Sequence, residues 1–241
     1  MPTLMRGAHP TPRHRLAAAT PHTLTKTAPP QFLRHPIKLS MWGNDVHGDC
    51  VTAEEAFAKA CNPTEILISD TEAVTWATAN GFLNGAYLTD VMTAMRAGGF
   101  AFNANTLGDG PYTSVDWTNP AILQNAIFAG PVKIGIAADQ LEAVCQAMPI
   151  LQSNWLARGF TPDNNLDHCV ALAGYGPQEW LAATITKAYN VPVPDNITPG
   201  APGYALFTWG TIGIIDAPSL LAITGEAWLR SPTSVIQPAR R

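Results

Sequence analysis

The chain has 241 residues, which is enough for one large domain with its own hydrophobic core and excludes a small disulfide-stapled fold. Hydrophobic residues make up 46% of the chain and charged residues only 13%, which excludes a disordered, solvating sequence. The formal net charge of −4 excludes the broadly basic surface of most nucleic-acid binders, so we expect a peptide or protein partner and no nucleic acid.

Residues 1–36 are predicted to form an extended, basic strap ahead of a single domain at 37–241. Six basic residues precede Asp45, the first acidic residue, and seven prolines within the strap disfavour helix. The strap has no serine, unlike a transit peptide, and its apolar run is too short for a secretory signal. The longest charge-free stretch, 196–215, contains two prolines and four glycines, so we expect no membrane segment and a cytoplasmic protein.

The first half of the domain is predicted to be mostly helical. Asp49 suits the N-cap of a helix that begins at Cys50, because apolar residues recur at helical spacing after it. Further helices are predicted at 70–79, 88–96 and 121–128.

The second half is predicted to be mostly sheet. Apolar runs indicate strands at 132–136, 169–176 and 204–210, with a helix at 140–148. Residues 177–203 are rich in proline and are interpreted as a surface excursion with a short helix at 179–187. Helices followed by strands predict an α+β domain of two lobes with a site in the cleft between them.

Two segments carry residues suited to nucleophilic chemistry, one around Cys50 and one around His168. A cysteine at a helix N-terminus has a lowered pKa, because the helix dipole and free amides favour the thiolate. His168, at the start of a predicted strand, can pair with that thiolate and protonate a leaving group. Asn44 and the Cys50 amide can hold an oxyanion, and Gly48 lets a substrate pass close to the backbone. The other three cysteines are predicted to be packing residues in a reducing compartment.

These segments resemble those of the papain-like cysteine peptidases. The family places an amide side chain six residues before its nucleophile, as Asn44 precedes Cys50, and its base lies in a strand similar to Asp167-His168-Cys169-Val170. Its substrate-binding edge resembles Asn84-Gly85-Ala86-Tyr87, and the order of the motifs agrees over roughly residues 40–215. The resemblance implies a two-lobe papain-like fold and a Cys-His hydrolase of peptide or amide bonds that needs no cofactor.

The chain departs from the family where an Asn-Ser-Trp-Gly segment normally orients the histidine. Phe207-Thr208-Trp209-Gly210 stands there, so the asparagine is missing and Thr208 is the candidate replacement, with Trp209 beside the substrate and Phe207 able only to shield the site. Because an orienting residue forms no bond to substrate, its loss lowers the rate without necessarily abolishing activity. This departure and the short strap favour a divergent microbial or intracellular branch.

Two other functions compete with a hydrolase. A catalytically silent papain-like module would bind a peptide or protein in the cleft, and a transamidase would use the same residues to transfer the acyl group to an amine. A zinc site built from His47, Asp49, Cys50, Asp167, His168 and Cys169 is disfavoured, because their spacing lacks the regularity of metal-binding motifs. His47 is predicted to lie at the cleft rim. The sequence does not specify the oligomeric state.

Overall fold

A computed structural model describes residues 3–24, 26–62, 64 and 66–238 of the chain. The helices are α1 (Arg13–Ala18), α2 (Cys50–Ala60), α3 (Asp70–Asn80), α4 (Leu88–Ala97), α5 (Pro120–Ala129), α6 (Asp139–Gln146), α7 (Gln178–Tyr189) and α8 (Ala217–Ile223). The strands are β1 (Ala8–His9), β2 (Phe32–Leu33), β3 (Ala86–Tyr87), β4 (Phe100–Phe102), β5 (Asn105–Gly108), β6 (Tyr112–Ser114), β7 (Val132–Ile136), β8 (Leu156–Ala157), β9 (His168–Pro177), β10 (Pro202–Thr208), β11 (Thr211–Asp216), β12 (Thr224–Arg230) and β13 (Val235–Pro238).

The main sheet has the strand order β6-β12-β7-β9-β10-β11-β8, and β2 also pairs with β9. The pairings of β7, β9, β10 and β11 with one another are antiparallel. Two small sheets lie apart from it, one formed by β1 and β3 and the other by β13, β5 and β4. The antiparallel centre with helices ahead of it in the chain agrees with the predicted α+β class.

Strand β9 is buried on both faces, which explains its continuous apolar sequence. Cys169, Ala171 and Ala173 belong to the core cluster shared with α2, α3 and α4, whereas Val170 and Leu172 belong to the cluster shared with α5, α6 and α8. The small side chains on the first face let helix α2 lie close to β9.

Helix α2 is fixed to the sheet by six buried charged residues, called here the core ion network. Glu54 and Glu55 on α2 contact Lys133 of β7 at 2.8 Å each, and Arg230 of β12 contacts Glu54 at 2.6 Å and Glu55 at 2.8 Å. Lys59 pairs with Asp109 at the other end of the helix. Burial acts to raise the pKa of Glu55, but Arg230 and Lys133 outweigh it and hold that pKa well below its usual value.

Most predicted elements are confirmed with small shifts at their ends, and 132–136 matches β7. The strap is less extended than predicted, because residues 13–18 form α1; residues 1, 2 and 25 lie outside the described part. The segment 177–203 is not only a surface excursion. Residues 178–189 form α7, in which Leu181, Ala182 and Ile185 are buried in the core.

Candidate active site

Cys50 is the first residue of α2 and is 2% exposed. Asp49 occupies the N-cap position as predicted, but its side chain makes no capping hydrogen bond. Burial raises the pKa of the Cys50 thiol to about 12, although the backbone amides of Cys169 and Gly7 lie near the sulfur and favour its ionised form. The expected lowering of this pKa is therefore wrong for the structure as it stands, because desolvation outweighs the helix terminus.

His168 is the first residue of β9 and is also buried. Its Nε2 lies 2.8 Å from Thr208 Oγ1, while its Nδ1 has no hydrogen-bonding partner in the described part of the chain. Burial, together with the nearby charge of Arg6, lowers the pKa of His168 to about 3. The imidazole is therefore neutral in this arrangement. Its Nδ1 belongs to the residue that directly precedes Cys169, and the backbone amide of Cys169 lies near the Cys50 sulfur.

Thr208 and Phe207 point to opposite sides of β10, as neighbours in a strand do. Phe207 stacks on Phe57 of α2 with ring centroids 4.0 Å apart, so it belongs to the core cluster that also contains Cys50. Thr208 is held in place through its backbone carbonyl, which accepts a hydrogen bond from Thr211 Oγ1 at 2.9 Å. Of the two residues, only Thr208 contacts the histidine.

Trp209 covers His168 from the turn between β10 and β11. Trp209 and Gly210 have φ of 43° and 69°, and such a two-residue turn with both φ values positive suits a tight hairpin. The indole ring stacks on the imidazole with centroids 4.3 Å apart and an interplanar angle of 14°. A left-handed conformation at tryptophan is uncommon, and here it places the ring over the candidate base.

Asn44 lies in the turn before α2, where its side-chain amide donates to the His47 carbonyl at 3.0 Å. Its own backbone carbonyl accepts the Met5 N–H at 3.2 Å. The nearby Asp49 carboxylate is buried without a hydrogen-bonding partner among the described residues, and burial raises its pKa to about 7. Neither feature was apparent from the sequence.

The N-terminal strap runs through the cleft and covers Cys50. Gly7 N–H and Ala8 N–H donate to the Asp167 carbonyl at 3.1 and 3.0 Å, and Gly7 O accepts from Ala86 N–H at 2.8 Å. Ala8 and His9 pair in parallel with Ala86 and Tyr87, and Trp209 Nε1 donates to Met5 O at 2.9 Å. Residues 5–9, called here the cleft segment, thus lie between the predicted substrate-binding edge and the predicted catalytic residues.

Glycines make this fit possible. A Cβ added at Gly7 would lie 1.7 Å from Gly48 O, and a Cβ added at Gly48 would lie 2.7 Å from Arg6 O. Gly85 has φ of +116°, and a Cβ there would lie 2.9 Å from Gly7 O, while Asn84 lies 3.6 Å from the added Cβ of Gly48. The predicted substrate-binding residues Gly48, Gly85, Ala86 and Trp209 therefore contact the cleft segment, and Asn84 lies beside Gly48.

Arg6 is the residue of the cleft segment whose side chain forms ion pairs. Its Nη1 lies 2.6 Å from Asp167 Oδ2 and also pairs with Asp139, and its Nε donates to Glu142 Oε2 at 2.7 Å. We call Asp139, Glu142 and Asp167 the cleft carboxylate cluster. Burial acts to lower the pKa of Arg6, but hydrogen bonds to the three carboxylates outweigh it and raise that pKa. No sequence signal linked Arg6 to residues more than 130 positions away.

A cavity of about 500 Å³ continues the cleft beyond Trp209, and its lining includes Met41, Ile150 and Leu151. Among the described residues, no group of three or more His, Cys, Asp or Glu side chains is arranged to hold a metal ion. No helix in those same stretches is long and apolar enough to cross a bilayer.

No protein-family model matches the chain, and no curated protein matches it. Solved structures do match. Digestive procathepsin L 3 of Tenebrio molitor is 14% identical with a TM-score of 0.59, covering 88% of this chain and 73% of its own. The Amb a 11 cysteine protease of ragweed pollen, in its proform, is 14% identical with a TM-score of 0.59, and the match covers 90% of this chain and 72% of that one. Bromelain from Ananas comosus is 12% identical with a TM-score of 0.56, and the match covers 84% of this chain and 98% of that one. These likenesses show a papain-like fold and confirm the predicted fold class.

Proposed function

We propose that this chain is a cysteine hydrolase that cleaves peptide or amide bonds through an acyl-enzyme on Cys50, as a divergent, microbial member of the papain-like peptidases. The solved structures that share its fold are described as a procathepsin, a cysteine protease and the bromelain protease. The observation that carries the proposal is the arrangement of His168. Thr208 holds its Nε2, which leaves a buried Nδ1 without a hydrogen-bonding partner among the described residues, on the residue before Cys169, whose backbone amide lies near the Cys50 sulfur.

The reaction follows from these positions. The Cys50 thiolate attacks the carbonyl carbon, the C–S bond forms, and the C–N bond breaks as the His168 imidazolium gives its proton to the leaving amine. His168 then takes a proton from water, which attacks the thioester, releases the acid and restores the thiol. Asn44 and the Cys50 amide stabilise the oxyanion, and Thr208 positions the imidazole. An amine in place of water would give transamidation with the same residues.

The cleft segment must leave before this chemistry can begin. With the segment in place, the pKa of Cys50 is about 12 and the pKa of His168 is about 3, so thiol and imidazole are both neutral at pH 7. Departure of the segment admits water and withdraws the charge of Arg6, which removes the named causes of both shifts. The thiolate–imidazolium pair then becomes accessible.

A peptide-binding module without catalysis is the second candidate, and one observation favours it. The cleft segment is held largely through backbone hydrogen bonds to Asp167, Ala86 and Asn44, as an extended peptide of varied sequence would be held. Such a module would retain the cleft and need no activated thiol.

The first experiment separates the two functions. Full-length Arg6→Ala protein is incubated with a library of fluorogenic peptide amides, and intact mass spectrometry is used to detect an acyl adduct. We expect turnover and an adduct on Cys50, both lost in the Cys50→Ser and His168→Ala versions. Equal peptide binding by all three proteins, with neither turnover nor adduct, would instead establish the binding module.

The role of Thr208 has its own test. Thr208→Val keeps the shape and removes the hydroxyl, so we expect kcat to fall about 10- to 100-fold with little change in KM, because a loosely held base acts after binding. Thr208→Ser retains the hydroxyl and serves as the control. An unchanged kcat in Thr208→Val would show that the imidazole is positioned by something else.

A further inference from the structure

The cleft carboxylate cluster lies at one end of the path that the cleft segment follows past Cys50. Asp167 directly precedes His168, and Asp139 and Glu142 lie on the first turn of α6. The side chains of Asp167 and Glu142 are 29% and 20% exposed, so water reaches them only in part. Partial desolvation of this kind strengthens the attraction for a cation compared with a fully solvated surface.

The backbone contacts along this path do not discriminate between peptides of different sequence, whereas the side-chain contact of Arg6 does. The segment's hydrogen bonds to Asn44, Asp167 and Ala86 use main-chain atoms that any extended peptide offers. The guanidinium differs, because its planar fork of donors meets three carboxylates at once. Three negative charges surround one positive charge, so the cluster has the composition of a cation-binding site rather than that of a simple surface pair.

A second observation indicates that this part of the cleft is built to hold a ligand. His168 Nδ1 is buried and has no partner in the described stretches of the chain, and Arg6, which fills the cluster, is near enough for its charge to act on the imidazole. A buried polar atom without a partner costs free energy, and such atoms are frequent where a site awaits a reacting group. The Asp167 carboxylate is pre-positioned as well, since it accepts the Ala138 N–H at 3.1 Å.

We propose that Asp139, Glu142 and Asp167 form a subsite for a cationic side chain, filled by Arg6 within this chain and by a basic residue of a peptide substrate once the cleft segment has left. The substrate part of this inference rests on the proposed hydrolase function. An arginine-like group fits better than an ammonium, because only a planar fork reaches all three carboxylates together.

Binding to the empty subsite is measured first, without any reliance on catalysis. Full-length Arg6→Ala protein is titrated by calorimetry with ethylguanidinium, the truncated side chain of arginine, and with ethylurea as a neutral probe of the same shape. We expect saturable binding of ethylguanidinium alone. Unmodified protein, in which Arg6 fills the subsite, and Arg15→Ala protein, in which another strap arginine is removed, should not bind it.

The carboxylates are then neutralised in the same background. Asp139 is largely exposed and Glu142 lies on a helix surface, so Asp139→Asn and Glu142→Gln leave the core intact, whereas Asp167 is kept because it also supports the backbone. The triple variant with Arg6→Ala should lose ethylguanidinium binding. Equal binding by Arg6→Ala and the triple variant, or no binding by either, would overturn the subsite.

Substrate choice provides the last step. In Arg6→Ala protein, peptides carrying arginine should show kcat/KM at least about tenfold above the same peptides carrying citrulline, and the triple variant should lose this preference. Hydrolysis without a charge preference would contradict the subsite and leave the hydrolase standing. Ethylguanidinium binding without hydrolysis of any peptide would support the subsite and contradict the hydrolase.

Discussion

Two groups of ion pairs in this protein differ in what surrounds them. The core ion network joins α2 to β7 and β12 with three acidic and three basic residues, whose side chains are all 0% exposed. In the cleft carboxylate cluster a single guanidinium meets three carboxylates, and Asp139 is 66% exposed. In the first group positive and negative charges are equal in number and water is excluded, whereas the second has an excess of negative charge and is reached by water. We therefore expect only the second to exchange its cation without unfolding of the domain.

The largest expected effect comes from breaking the core ion network. Arg230→Met leaves Glu54 and Glu55 short of a buried partner, so we expect the free energy of unfolding to fall by about 3–5 kcal/mol. The matched change Arg6→Met, in the cleft, should cost less, about 1–2 kcal/mol, because water reaches the carboxylates left behind in part. Urea denaturation measures both.

A control guards this comparison against a variant that does not fold. Arg230→Lys keeps the positive charge, so it should unfold cooperatively, with a urea midpoint between those of Arg230→Met and Arg6→Met. Equal losses in Arg230→Met and Arg6→Met would show that the difference in exposure does not govern stability.

Asp49 sharpens the comparison, since it is a buried carboxylate without a cation. Its pKa rises from the ordinary 3.8 to about 7 through burial, so the folded chain holds this proton more tightly than the unfolded chain does. Its contribution to stability is therefore full below about pH 4 and declines as the pH rises towards 7. Asp49→Asn should stabilise the protein by about 2 kcal/mol at pH 8 and give no such gain at pH 4.

Thermal unfolding across this pH range tests the prediction. The exposed Asp195→Asn serves as the control and should show no comparable gain at pH 8. A constant difference between Asp49→Asn and the parent at every pH would contradict the assigned titration.

A smaller effect is expected at the Cys50 thiol. Arg6→Met removes the side-chain ion pairs of the cleft segment, so iodoacetamide should alkylate Cys50 about tenfold faster at pH 7, as water reaches the sulfur and its pKa falls. Peptide mass spectrometry locates the label. Cys61, buried at the C-cap of α2 and so at the opposite end of that helix from Cys50, is the internal control, and equal acceleration at both cysteines would indicate general loosening.

The smallest effect should follow from the exposed pair in the strap. Arg15 and Asp90 are 42% and 41% exposed, so Arg15→Met should change the free energy of unfolding by less than about 1 kcal/mol. Cys50 should react no faster than in the parent protein. A rate as high as that of Arg6→Met would mean that the whole strap, rather than Arg6, controls access to the sulfur.

Local signals predicted much of the fold. The sequence Val132-Lys133-Ile134-Gly135-Ile136 predicts β7 with its observed bounds, because four of its five positions are apolar or glycine and its ends are marked by proline and alanine. Strand β12 was not predicted, since Gly225, Glu226 and Arg230 interrupt its apolar pattern. Glu226 and Arg230 are nonetheless buried, and each has a hydrogen-bonding partner far away along the chain, Thr11 for Glu226 and Glu54 for Arg230.

The same limit applies to the candidate site. A helix start and a strand start could be located from neighbouring residues, which placed Cys50 and His168 at the ends of their elements. The contacts of Arg6 with the cleft carboxylate cluster span 133 to 161 positions, and no local pattern encodes them. The fate of the Cys50 pKa could not be predicted either, because it depends on a segment that folds back over the sulfur.

Trp209 connects His168 to the cleft segment, and its fluorescence can report on both contacts. Its ring stacks on His168 and its N–H is bonded to Met5 O, so its emission depends on both contacts. If the segment left, the indole would lose that hydrogen bond and gain solvent, so its emission should change. The protein therefore carries an intrinsic fluorophore in contact with both the cleft segment and His168.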